Sequence, residues 1–268
     1  TRLRCDWSSD VCSSDLLKTK KKSILIMGAG AVGGTFGALL AKVKTNTVFF
    51  IVRGKHLEAI KRNGLSVQSG KENFTIKVNV SDNPNDFKSK PDLILLTVKS
   101  FDTDSAIEQL KPAVFRKTQI LSLQNGIENY PKLVNAFGDE RVVRGFCGMN
   151  AEVLQPGVIQ GGPGYIFVGE NIGEISARIQ WLKSLFEISN IQCTVSQDIH
   201  QDVWRKFAWN CIFNIVSATT QLTVGEIVDD PEKIQLCKEL FKEISQVAKS
   251  QDVMLRSEEH TSELQSHL

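Results

Sequence analysis

"SILIMGAGAVGGTFGALLAKV", residues 23 to 43, decides the fold. A short unbroken apolar run (23 to 27) is followed by a glycine turn and then by the helix-like "TFGALLAKV" (35 to 43). That order predicts strand, turn, helix. Gly28, Gly30 and Gly33 form G-x-G-x-x-G between the two elements. The first glycine permits the tight turn, the second admits close backbone approach of a pyrophosphate, and the third lets the helix pack on the strand. With Ala29, Ala31 and Val32 they make a backbone cradle at a helix N-terminus, a natural anion site. The alternative reading is a glycine-rich turn without a ligand.

The end of the next apolar run, "TVFFIVR" (47 to 53), bears on which dinucleotide is taken. An NAD site usually places an acid there for the ribose 2'-hydroxyl, and residues 43 to 57 contain none. They contain Arg53 and Lys55. An arginine at that point can pair a 2'-phosphate in a bidentate, charge-assisted way, so the expected cofactor is NADP(H).

Outward from this unit, "LSVQ" (65 to 68) and "FTIKVNV" (74 to 80) suggest a hairpin insertion. "DLILLTV" (92 to 98) and "QILSLQ" (119 to 124) then alternate with helical stretches near 102 to 112 and 130 to 137. Apolar strands alternating with helices imply an α/β fold with a doubly wound, mostly parallel sheet. Residues 142 to 169 are expected to be strands that close this sheet, followed by a helix over 174 to 188 and the strand "IQCTV" (191 to 195). From about Gln197 the pattern is helical: one helix over 199 to 220, a turn at "TVGEIVDDPEK" (223 to 233), and a last helix over 232 to 250 opened by Asp230 and Pro231.

The two ends read differently. "CDWSSDVCSSDL" (5 to 16) can be encoded by a DNA string whose reverse complement translates as "RSEEHTSELQS" (256 to 266). Two unrelated folded segments have no reason to share one string on opposite strands, and the string resembles a sequencing adapter. Residues 1–16 and 256–268 are therefore expected to be artefactual tails. The expected division is 17–196 for the dinucleotide-binding domain and 197–255 for a helical domain interrupted at its end.

Of 268 residues, 41% are hydrophobic, enough for real cores. Without the tails, 29 Lys and Arg stand against 24 Asp and Glu. This mildly basic balance suits an anionic small ligand, and no basic run interleaved with aromatics suggests nucleic acid. No apolar run approaches the roughly 20 residues of a membrane span, so a cytoplasmic protein is expected, with no membrane partner. Cys147, Cys193, Cys211 and Cys237 are scattered without metal-ligand spacing. They read as reduced thiols, and no metal is expected.

"TVKS" and "LQNG" each follow a core strand, which puts Lys99 and Asn125 at the carboxyl ends where ligands of such sheets collect. In "WRKFAWNCIFNIVSATT" (204 to 220), Lys206, Asn210, Asn214 and Ser217 fall within an arc of roughly 80° on an ideal helix. Asparagine is a poor mid-helix residue, so two of them beside a lysine suggest a recognition stripe as readily as a solvent face.

Together "GAGAVGG", the arginine ending the second strand, "TVKS", "LQNG" and "WRKFAWNCIFN" resemble the ketopantoate reductase family, in the same order and over essentially the whole of residues 17 to 255. The resemblance implies a Rossmann N-terminal domain, a helical C-terminal domain, and NADPH-dependent reduction of the 2-oxo acid 2-dehydropantoate to pantoate on the route to coenzyme A. By motif, Lys206 would be the general acid and Asn210 and Asn214 would bind substrate. Lys99 and Asn125 would lie near the nicotinamide, with Asn125 also at the substrate, and Ala151 would lie beside the cofactor. A homodimer is compatible with this reading. The chain departs from the pattern at Val224, where some members carry asparagine. The serine and acidic residue that the family's C-terminal helices bring to the site are not found before the adapter-like sequence. Two alternatives stay open: a related NADP-dependent 2-oxo-acid or β-hydroxy-acid reductase, and a non-catalytic NADP(H)-binding regulatory module.

Overall fold

The computed structural model describes residues 21–255, apart from 70, 71, 163, 172 and 174. The two expected tails lie outside the described residues. The chain runs through β1 (Lys22–Met27), α1 (Ala31–Lys42), β2 (Asn46–Ile51), α2 (Gly54–Asn63), β3 (Leu65–Ser69), β4 (Glu72–Ile76) and β5 (Asn79–Ser81). It continues through β6 (Leu93–Leu96), α3 (Thr103–Leu110), β7 (Gln119–Ser122), α4 (Asn129–Phe137), β8 (Val142–Gly148), β9 (Ala151–Gln155) and β10 (Val158–Gly161). Then follow β11 (Tyr165–Gly169), α5 (Ala177–Ile188), β12 (Gln192–Val195) and the helices α6 (Ile199–Trp209), α7 (Ile215–Thr220), α8 (Val224–Asp229) and α9 (Pro231–Lys249).

Eight strands form one sheet in the order β12-β11-β8-β7-β6-β1-β2-β5. The six from β5 to β8 are parallel, while β11 runs antiparallel to β8. Side chains alternate faces along a strand, and the two faces carry separate cores. Ile24, Ile26, Leu93 and Leu95 point with Phe36 of α1 and Phe186 of α5 into one. Leu25, Met27, Ile94 and Leu96 point with Ile107 of α3 and Leu133 of α4 into the other. A strand buried on both faces must be apolar throughout, which is why "LILL" shows no period of two. Each such side chain contributes about 1.5–3 kcal/mol by leaving water.

A second, four-stranded sheet in the order β4-β3-β10-β9 corrects two expectations. Residues 74 to 80 are not one strand. β4 pairs antiparallel with β3 and ends at Ile76, and β5 then turns onto the free edge of β2. Of the strands in 142 to 169, only β8 and β11 join the main sheet. β9 and β10 instead pack on α1, where Ile159, fully buried, seats against Gly34, so closely that a Cβ there would collide with its Cδ1.

The helix over 199 to 220 is also not uniform. α6 and α7 are separated by a π-helical turn over Asn210–Asn214. The segment expected as a turn contains the short helix α8, held by a capping box: Thr223 accepts from the Glu226 backbone while the Glu226 carboxylate accepts from the Thr223 N–H. α6 lies against β8 and β11, and its Trp204 packs with Ala248 of α9 and with Ile127 beyond β7. All four cysteines among the described residues are free. No helix among them is long and apolar enough to cross a membrane, and no three His, Cys, Asp or Glu come together as metal ligands.

Candidate active site

At the end of β1, Gly28 has φ of +101°, and a Cβ there would meet the Val98 backbone nitrogen at 2.8 Å. Thr97, after β6, closes the turn: its Oγ1 donates to the Gly28 carbonyl at 2.5 Å. A Cβ on Gly33 would collide with that same carbonyl and hydroxyl. Gly30 differs, because nothing lies within 4 Å of its absent Cβ. It begins α1 with no side-chain cap and no acid in the first turn. The first N–H groups of a helix have no partner within it. With buried Ala29 and half-buried Ala31 and Val32 they form a cradle open to an anion.

The acid-free end of β2 adjoins this cradle. Arg53 is exposed and extended at the start of α2, followed by Gly54 at φ of +62° with open space around it. The open cradle, the uncapped helix start and this arginine fit an anionic dinucleotide.

Lys99 and Asn125 are both exposed, one beyond β6 and the other beyond β7. A buried polar network beneath them ties their loops together. The Asn125 carbonyl accepts from Ser100 Oγ at 3.2 Å and from Asn129 Nδ2 at 3.0 Å. Thr103 Oγ1 donates to Asn129 Oδ1 at 2.9 Å and accepts from Gln124 Nε2 at 2.8 Å. Sequence reasoning missed these supports. Ser100 and Gln124 stand inside "TVKS" and "LQNG" but were passed over for their neighbours, whereas Thr103 and Asn129 belong to no motif and only their position at helix starts could have suggested them.

The stripe on the first C-terminal helix faces this loop. Asn210 Nδ2 donates to Asn125 Oδ1 at 3.4 Å, and Asn214 Nδ2 donates to Asn210 Oδ1 at 3.4 Å. Both are long for such bonds, so a polar ligand atom can replace either with little loss. Lys206, half-buried one turn earlier, lies close enough to Cys147 of β8 for its charge to act on the thiol. Burial pushes that thiol up to about 11, with the Lys206 ammonium pulling the other way. Ser217 leaves the stripe. Its Oγ donates to the Leu222 carbonyl at 2.5 Å and closes the end of α7. The π turn explains this, since its extra residue per turn shifts everything after Asn214 from the ideal 100° spacing.

Ala151 stands apart, at the start of β9 on the second sheet, where it lines a groove of about 650 Å³ with Asn150, Gln68 and Gln160. A second cavity, of about 390 Å³, lies between Gln124, Arg144 and Trp204 and was not expected. There the Arg144 guanidinium lies over the Tyr130 ring and contacts His200 Nδ1. Burial first, and then the Arg144 charge, hold His200 below its usual value.

Comparison with known proteins yields matches over both parts. The family profile described as "Ketopantoate reductase PanE/ApbA" matches residues 24–173, and "Ketopantoate reductase PanE/ApbA C terminal" matches 198–268. A 2-dehydropantoate 2-reductase of Pyrococcus horikoshii is 34% identical over 226 residues, covering 84% of this chain and 73% of that protein. One from Archaeoglobus fulgidus is 32% identical, with the same coverage. The crystal structure of 2-dehydropantoate 2-reductase from Geobacter metallireducens superposes with a TM-score of 0.83 at 31% identity, covering 91% of this chain and 81% of that one. A D-mandelate dehydrogenase solved with NADH and anilino(oxo)acetate shares the fold at 22% identity and a TM-score of 0.83.

Proposed function

The chain belongs to the ketopantoate reductase family of oxidoreductases, and on that premise we propose that it reduces 2-dehydropantoate to pantoate with NADPH, using Lys206 as the general acid. The observation that carries the reading is the hydrogen-bonded line Asn214, Asn210, Asn125. It sets the helix stripe against the carboxyl edge of the sheet, beside the glycine cradle.

When bound, NADPH supplies a hydride to the ketone carbon. The first-turn N–H groups of α1 take the pyrophosphate, and Arg53 pairs with the 2'-phosphate. Lys99 and Asn125 hold the nicotinamide end, with Ala151 further along the cofactor. Asn214 and Asn125 orient the substrate, and the Asn210 amide donates to its ketone oxygen. As negative charge develops on that oxygen, Lys206 Nζ transfers a proton to it. The C=O becomes a CH–OH group and the amine is left neutral, to be reprotonated from water.

Val224 supports a second reading, reduction of a different 2-oxo acid. It packs into the apolar core of the helical region and offers no donor where some family members carry an amide. A competition assay separates the two: NADPH oxidation by the purified protein with 2-dehydropantoate and with a panel of other 2-oxo acids. A kcat/KM for 2-dehydropantoate exceeding the rest supports the first reading. Turnover of another acid alone replaces it with the second, and no turnover with any acid overturns both.

A further inference from the structure

His56, in the first turn of α2, touches two loops that are far apart in sequence. Its Nε2 lies 2.9 Å from the carbonyl of Ala29, inside the glycine turn, and the backbone N–H of Gly157 donates to its Nδ1 at 2.9 Å. Each partner can act in only one way. A carbonyl accepts, so Nε2 carries the hydrogen; an amide N–H donates, so Nδ1 carries the lone pair. The ring is thereby fixed as one neutral tautomer. Gly157, between β9 and β10, has φ of +84°, and a Cβ there would sit 3.1 Å from Ala59 Cβ, so this turn is pressed onto α2.

We propose that His56 is a positioning residue for the cofactor: neutral, it ties the glycine turn to the β9–β10 turn, and protonation of its ring opens that tie and weakens dinucleotide binding. The inference rests on residues 28–33 being the cofactor's phosphate site. An imidazolium would present Nδ1–H to the Gly157 N–H, two donors facing each other, and would leave a buried amide unpaired. Burial holds the ring below its usual 6.5, partly opposed by the Ala29 carbonyl. Residues 28–30, 155–158 and β5 contain no ionisable side chain, and Arg53, Lys55 and Glu58 on or beside its own helix are exposed. Above pH 6.5 the ring is neutral in both folded and unfolded chains. As pH falls below 6.5 the unfolded chain gains the proton first and stability declines, and the tie itself is lost as pH passes the lowered folded value.

The test measures the Kd for NADPH and for NADH from about pH 8 to about pH 5 in the wild type, His56→Gln and His56→Leu, with melting temperatures alongside. NADH lacks the 2'-phosphate, which titrates near pH 6 itself. The glutamine offers one N–H and one carbonyl and cannot titrate. The wild type is expected to lose affinity for both dinucleotides by about tenfold on the acid side, His56→Gln to hold a flatter profile, and His56→Leu to bind about tenfold more weakly at neutral pH. A ratio of wild-type to His56→Gln affinity that stays constant with pH overturns the proposal even if the leucine variant fails to fold. If the wild type binds neither dinucleotide at any pH, the loop's assignment as a cofactor site falls, and the tie's role with it.

Discussion

Asn210, on the helical side, donates to the side chain of Asn125, 85 residues earlier at the edge of the main sheet. Through this contact the stripe and the cofactor crevice share one polar surface. Asn125→Ala and Asn210→Ala should each lower kcat/KM for 2-dehydropantoate, and the double variant should lose less than the product of the two. Contacting residues commonly couple by about 0.5–3 kcal/mol. Steady-state kinetics of the four proteins would measure it, and strict additivity would show that the two amides act independently.

Lys206→Ala should reduce kcat by about 10² to 10⁴, the contribution of a general acid. NADPH affinity should be nearly unchanged, because the lysine belongs to α6, beside Cys147 of β8, and not to the glycine cradle. Wild-type turnover in this variant would return the stripe to a solvent face.

Removing the Arg53 guanidinium should weaken NADPH binding and leave NADH binding alone. A hydrogen bond to a charged group is worth about 1.5–3 kcal/mol, so Arg53→Ala should shift the NADPH/NADH preference by roughly 10- to 100-fold. An unchanged ratio removes Arg53 from the site.

The glycines separate packing from ligand approach. Gly30→Ala meets nothing within 4 Å and should melt like the wild type, yet bind NADPH less well because the methyl occupies the cradle. Gly33→Ala drives a methyl into the Gly28 carbonyl and Thr97 hydroxyl, and should lower stability by about 1–3 kcal/mol before any ligand is added. Thermal melts with and without NADPH distinguish the two.

Acid stability should depend on Glu170. The Arg178 guanidinium, which donates to Glu170 from Nε at 2.7 Å and from Nη2 at 2.6 Å, holds this carboxyl below its usual 4.5, and Ser176 adds a further hydrogen bond. Its folded value is depressed, so the stabilisation is present above 4.5 and disappears as pH falls through the lowered value. In Glu170→Gln, melting temperature should drop at neutral pH and vary less between neutral and acid than in the wild type.

Features that depend on local chemistry were legible in the sequence. The glycine turn, the parallel strands and the loops bearing Lys99 and Asn125 each rest on a few neighbouring residues, and the structure brings Asn125, Asn210 and Asn214 into one line. Ser217 was misplaced because a fixed 100° step cannot anticipate a π turn. Of the second sheet only the β3–β4 hairpin was legible; the pairing of β3 with β10, which brings Ile159 onto Gly34, is a fit between distant residues with no local signature. α8 could have been read, since "TVGE" is a capping box in plain sequence. The network under Asn125 and the Arg144 cavity depend on tertiary placement of ordinary polar residues.

The seating of Ile159 on α1 also bears on how the chain comes together during synthesis. α1 packs through Gly37 on Phe50, whose ring a Cβ there would strike, and one turn earlier through Gly34 on Ile159. The parallel register that delivers Ile159 pairs Val158 with Ser66. Joining segments so far apart carries a loop entropy that local strand and helix formation does not repay. The glycine turn and α1 therefore cannot reach their final packing until β10 has been made. Until then the surface of the glycine-rich helix at Gly34 stays bare, so a motif made well before β10 is among the last to become fully ordered.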